Sequence, residues 1–97
     1  MKPIRLLLAD DHTLFRKGLV SLLNQEKCFE ILGEAENGRE AVTQANEKSP
    51  DIVLMDIHMP GVNGLDATRQ ITKARPETRV VATTAERPPR SVRREMQ

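Results

Sequence analysis

The stretch Asp51-Ile52-Val53-Leu54-Met55-Asp56-Ile57-His58-Met59-Pro60-Gly61 constrains the fold most. An apolar run ends abruptly in a carboxylate, and a Pro-Gly turn follows. Runs of this length, rich in branched residues and bounded by turn residues, read as strands buried on both faces. Asp56 then stands at the carboxyl end of a strand, where open parallel sheets place their ligands. Two further runs behave alike. Ile4-Arg5-Leu6-Leu7-Leu8-Ala9 ends in Asp10-Asp11, and Arg79-Val80-Val81-Ala82-Thr83-Thr84-Ala85 ends in hydroxyls. Three strands with polar ends point to one shared site, with Asp56 at its centre.

The segments between these runs carry helical spacing. Asp11 or Thr13 is placed to cap a helix in which Phe15, Leu19, Leu22 and Leu23 form the inner face and Arg16 and Lys17 point outward. Phe29 to Ala35 reads as a short edge strand. Asn37-Gly38 opens a second helix, with Ala41, Val42 and Ala45 inward and an end near Lys48. Leu65, Thr68 and Ile71 mark a third helix, which Pro76 terminates. A last strand runs from Arg79 to about Thr84. The order β-α-β-α-β-α-β predicts a doubly wound parallel α/β sheet with right-handed crossovers and helices on both faces.

Composition narrows the function. Ninety-seven residues suffice for one small domain. A formal net charge of +1 argues for neither a nucleic acid nor a membrane partner. With two Phe and no Trp or Tyr the core is aliphatic, and stacking platforms for single-stranded nucleic acid are nearly absent. The single cysteine, Cys28, excludes an internal disulfide and fits a reducing cytoplasm; it is expected to be a buried or half-buried spacer. The first apolar run is short and contains Arg5, unlike a secretory segment, and no run reaches transmembrane length. Residues 86–97 differ from the rest. They hold Arg87, Arg90, Arg93 and Arg94 against Glu86 and Glu95, with Pro88-Pro89 and few apolar residues, and read as a disordered basic tail.

Asp10, Asp11 and Asp56 are expected at one edge of the sheet. Three close carboxylates repel, so either some are protonated or a cation is bound. A hard oxygen cluster suits Mg²⁺ or Mn²⁺, which keep several waters and engage phosphate. Beside such a cation Asp56 can act as a nucleophile and form an acyl phosphate. Thr84 is placed to donate a hydrogen bond to the new phosphoryl oxygens. A flavin or nucleotide site on the same topology would need a phosphate-cradling loop after the first strand, and Asp10-Asp11 there repels phosphate. His12 opens a helix and is read as structural.

At these residues the chain resembles a receiver domain of bacterial two-component response regulators, in the subgroup that carries a LuxR-type helix-turn-helix output domain. The resemblance rests on Leu8-Ala9-Asp10-Asp11-His12, Phe15-Arg16-Lys17-Gly18-Leu19, Glu34-Ala35-Glu36-Asn37-Gly38, Asp51 through Pro60, Gly64 and Thr84-Ala85, and covers residues 4–85. It implies that Asp56 is the phosphoacceptor, that Asp10 and Asp11 hold Mg²⁺ together with Asp56 and the backbone carbonyl of His58, and that Thr84 is the switch hydroxyl. It implies a sensor histidine kinase as phosphoryl donor and a regulatory rather than enzymatic role in transcription. The family fold is flavodoxin-like, with strand order 2-1-3-4-5. Its fourth helix, its fifth strand with a lysine, and its fifth helix have no match, since no lysine follows Lys73. The expectation is therefore a C-terminally truncated receiver of order 2-1-3-4 over residues 1–85, followed by a non-family tail over 86–97. Such a chain makes no DNA contact of its own, and its exposed fourth strand offers an edge for self-association. The competing expectation is a non-switching receiver remnant that acts only as an interaction module.

Overall fold

The computed structural model of the chain describes residues 2–57, 59 and 64–83. Seven elements alternate: β1 (Ile4–Ala9), α1 (Thr13–Asn24), β2 (Phe29–Ala35), α2 (Gly38–Lys48), β3 (Ile52–Asp56), α3 (Gly64–Ala74) and β4 (Arg79–Thr83). The strands are parallel, as the alternation predicts, and ordered β2-β1-β3-β4, the flavodoxin-like order that the family resemblance implies. Among the described residues β2 and β4 are the edges. The expectations for Thr84, His58 and the 86–97 tail fall outside the described residues.

Side chains alternate across the sheet. Leu7 and Ala9 of β1, with Val53 and Met55 of β3, point to the face covered by α2 and α3 and join Ala35, Ala41, Ala45, Met59, Ala67 and Ile71 in one buried cluster. Each of the larger members, Leu7, Met55 and Ile71, contributes about 1.5–3 kcal/mol by leaving water. Leu6 and Leu8 are also buried but belong to the opposite face, where α1 lies against β2.

That second face is less covered. Leu22 of α1 is 64% exposed, Leu14 is exposed too, and Val81 on β4 is 46% exposed. The inner stripe of α1 is Arg16, Leu19, Val20 and Leu23 at helical spacing, so Leu22 points out and Arg16 points in, the reverse of the sequence expectation. In α3 the inward residues are Gly64, Ala67 and Ile71, while Leu65 is exposed. A three-residue repeat drifts around a helix of 3.6 residues per turn, and the small residues occupy the inner stripe. Cys28 is exposed rather than spacing the core.

The helix ends are specified locally. Asn37 caps α2 by accepting the amide of Glu40 at 2.9 Å, and Glu40 accepts the amide of Glu36 in return. At the other end Ser49 takes a left-handed conformation (φ 50°) and its amide bonds back to Ala45. Arg5 reaches across from β1 to the carbonyls of Lys48 and Ser49, placing its charge at the negative end of the helix. In α1 the cap position falls to His12, without a side-chain cap bond, rather than to Asp11 or Thr13.

Candidate functional site

Asp10 directly follows β1 and β3 ends in Asp56, and these two strands are hydrogen-bonded neighbours at the centre of the sheet. Their carboxyl ends therefore open onto the same rim. The ladder continues to β4, where Thr83 pairs with Asp56 and accepts the amide of Ile57 at 3.2 Å. Gly64 at the start of α3 packs against this corner. A Cβ there would lie 2.5 Å from the Cα of Ile57 and 2.6 Å from the carbonyl of Asp56, so only glycine admits this approach.

Ligand atoms of Asp10, Asp11, His12 and Asp56 all lie within 4.8 Å of one another. Asp56 is fully buried at 0% exposure, Asp10 is nearly so, and Asp11 and His12 face solvent more openly. The Nδ1 of His12 is 3.1 Å from Asp11, 3.3 Å from Asp10 and 3.8 Å from Asp56. The structure thus brings together the three carboxylates named from sequence and adds an imidazole that sequence reasoning assigned only to helix initiation.

The backbone of Asp10 is fixed on both sides. Its amide donates to Ala35 of β2 at 2.9 Å. Its carbonyl accepts from the guanidinium of Arg16, whose Nε donates to Glu34 at 2.7 Å. Its side chain accepts the His12 amide at 2.7 Å in a local turn just before α1. Glu34 also receives Lys17. The hydrogen bond from Arg16 holds the Glu34 carboxyl below its ordinary range; burial opposes this, and Lys17 adds to the lowering.

Sequence reasoning missed Arg16, because a guanidinium in a helix was assigned to solvent. The signal was present in the alternative stripe Arg16, Leu19, Val20 and Leu23, whose i, i+3, i+4, i+7 spacing is helical, and in the acidic Glu34 at the end of β2.

Three oxygen donors and an imidazole form a set a divalent cation can use. An octahedral ion with bonds of about 2.1 Å separates adjacent donors by about 3.0 Å and opposite donors by about 4.2 Å. The His12 distances fall in that range, so the residues fit such an ion with modest adjustment.

A doubly wound parallel sheet with acidic residues gathered at its central carboxyl ends defines an α/β domain of the kind that binds its ligands at that rim. The chain belongs to the response regulator receiver domain family, whose pattern matches residues 6–97. It is 43% identical over 81 residues to the response regulator GacA of Pseudomonas viridiflava, covering 84% of this chain and 38% of GacA. The chain therefore spans well under half the length of that curated relative. The signal receiver domain of NarL from Mycobacterium tuberculosis superposes with a TM-score of 0.83 at 31% identity, covering 100% of this chain and 78% of that one. CheY in the CheX-CheY-BeF3-Mg²⁺ complex of Borrelia burgdorferi gives a TM-score of 0.77 at 29% identity, covering 84% of this chain and 61% of that one. Among the described residues no helix is long and apolar enough to cross a membrane.

Proposed function

We propose that the chain is the phosphoryl-accepting receiver of a two-component relay, with Asp56 as acceptor and Mg²⁺ as the cation at its rim. The observation that carries this reading is the meeting of Asp10, Asp11 and Asp56 within 4.8 Å at the carboxyl ends of two central strands. A net charge this concentrated calls for a counter-cation, and the same ion accompanies the beryllofluoride complex of the Borrelia CheY.

Asp10, Asp11 and Asp56 would hold the cation, which supplies charge neutralisation for a phosphoryl group. Asp56 provides the nucleophile. One of its carboxylate oxygens attacks phosphorus of a phosphohistidine on a sensor kinase. The P–N bond breaks as the P–O bond forms, and the departing imidazole takes a proton from water. Burial of Asp56 shields the acyl phosphate from hydrolysis, and fixation of Asp10 keeps the rim in register during transfer. Thr84 follows Thr83, the ladder partner of Asp56, and is proposed as the hydroxyl that reads the phosphoryl group. The carbonyl of His58 is proposed as a further cation ligand.

By its likeness to LuxR-type regulators, the proposed output of the whole protein is transcriptional control, with DNA contact outside this chain. The proposed location is the cytoplasm, where a sensor kinase's phosphohistidine is presented. Incubation with acetyl phosphate and Mg²⁺, read by intact-mass spectrometry, tests the acceptor. A gain of one phosphoryl group that is lost in Asp56→Asn is expected. A chain that never takes the label under conditions where it binds Mg²⁺ refutes the acceptor role.

A further inference from the structure

Arg16 is a charged group at 3% exposure, and a buried guanidinium is tolerated only when its edges are paired. Its partners are not arbitrary. Nε reaches Glu34 at 2.7 Å, Nη1 reaches the carbonyl of Asp10, and Nη2 lies 3.6 Å from Glu36. Glu34 precedes Ala35, which accepts the amide of Asp10. Both polar groups of the Asp10 backbone are therefore tied to the same end of β2, one directly and one through Arg16. Asp11 sits between this fixed residue and His12, whose amide is itself bonded to the Asp10 carboxylate.

An ordinary tether between α1 and β2 does not need this geometry. Lys17 already supplies one, reaching Glu34 at 3.2 Å from the exposed side of α1. What Arg16 adds is the bond to Asp10. A guanidinium spans two acceptors with a planar fork, whereas an ammonium is a point donor on a flexible stem.

We propose that Arg16 is a positioning residue for the acidic rim: bridging Asp10 and Glu34, it holds the Asp10-Asp11-His12 segment rigid enough for the site to prefer a small divalent cation, Mg²⁺, over a larger one. The inference rests on the cation-binding reading above. Its physical basis is that Mg²⁺ demands near-ideal octahedral geometry at short bond lengths, while Ca²⁺ accepts longer bonds and irregular ligation. Loosening the segment thus costs Mg²⁺ more than Ca²⁺. A purely structural residue would lower stability without altering that ratio.

The test is competition of Mg²⁺ and Ca²⁺ against Mn²⁺, followed by electron paramagnetic resonance, on the full chain and on Arg16→Lys, Glu34→Gln and Lys17→Met. Far-UV circular dichroism reports the fold of each. Arg16→Lys is expected to weaken Mg²⁺ about tenfold, at the low end of what outer-shell substitutions cost, with a smaller loss for Ca²⁺. Glu34→Gln is expected to shift the Mg²⁺/Ca²⁺ ratio in the same direction by less, since the bond to Asp10 survives. Lys17→Met is expected to leave the ratio unchanged. A folded Arg16→Lys with the parent's Mg²⁺ affinity and ratio overturns the proposal, as does an equal shift in Lys17→Met. Loss of fold in both Arg16→Lys and Glu34→Gln overturns it too, by making the bridge structural. Failure of the parent chain to bind Mg²⁺ instead removes the cation site itself, and this inference with it.

Discussion

Asp56→Asn should make the cation-free protein more stable, although it removes the proposed acceptor. The cluster's ligand atoms lie within 4.8 Å of one another. At that separation two unit charges repel by about 3.5 kcal/mol with an effective dielectric of about 20. The imidazole of His12 and the solvent around Asp11 offset part of this. A net gain of about 1–2 kcal/mol is expected when one buried charge is removed with its shape retained. For a domain of this size each kcal/mol moves the midpoint by about 4–8 °C. Thermal unfolding with a chelator present is the assay, and Asp56→Asn should melt about 4–16 °C higher than the parent. Adding Mg²⁺ at a hundred times its dissociation constant should then stabilise the parent by about 2.7 kcal/mol and the variant much less, narrowing or reversing the gap. A variant that melts lower than the parent in chelator would refute the repulsion argument. One that gains as much from Mg²⁺ as the parent would refute the assignment of Asp56 to the cation.

Gly64→Ala should cost about 1–3 kcal/mol in urea unfolding, because the new methyl meets backbone of Ile57 and Asp56 rather than a mobile side chain. Asn37→Ala should lower stability by about 1 kcal/mol through loss of the α2 cap, again read from the urea midpoint. Because the Glu34 carboxyl is held below its ordinary range, its contribution is present above about pH 4.3 and is lost as pH falls through the lower folded value. Urea midpoints measured across that acid range should drop in the parent and show a weaker pH dependence in Glu34→Gln.

The parallel sheet could be read directly from residue order, since apolar runs separated by helical spacings allow few other arrangements, whereas the strand order came from the family resemblance. The boundaries of β1 and β2 and the start of α2 at Asn37-Gly38 were legible for the same reason: each is written in local residues. The convergence of Asp10 and Asp56 followed from their positions at strand ends. The facing of α1 and α3 was not legible. In α1 two stripes compete, and the one containing more apolar residues lost to the one containing Arg16, because Glu34 and the Asp10 carbonyl make a buried guanidinium tolerable. Those partners lie on other elements, so nothing within α1 discloses them. In α3 the close approach of helix to strand selects Gly64 and Ala67 over the larger Leu65.

The alanine-lined side of the sheet has a consequence for how this sequence can drift. Ala41, Ala45 and Ala67 show no exposed surface, so a bulkier replacement there has nowhere to go without displacing a helix. On the opposite side, Leu14 and Leu22 touch mostly water. Substitution by polar residues is cheap there, and would make the molecule less sticky without disturbing the acidic rim. Evolutionary latitude is thus concentrated on one flank of the domain, and the flank that backs the acidic rim is nearly frozen.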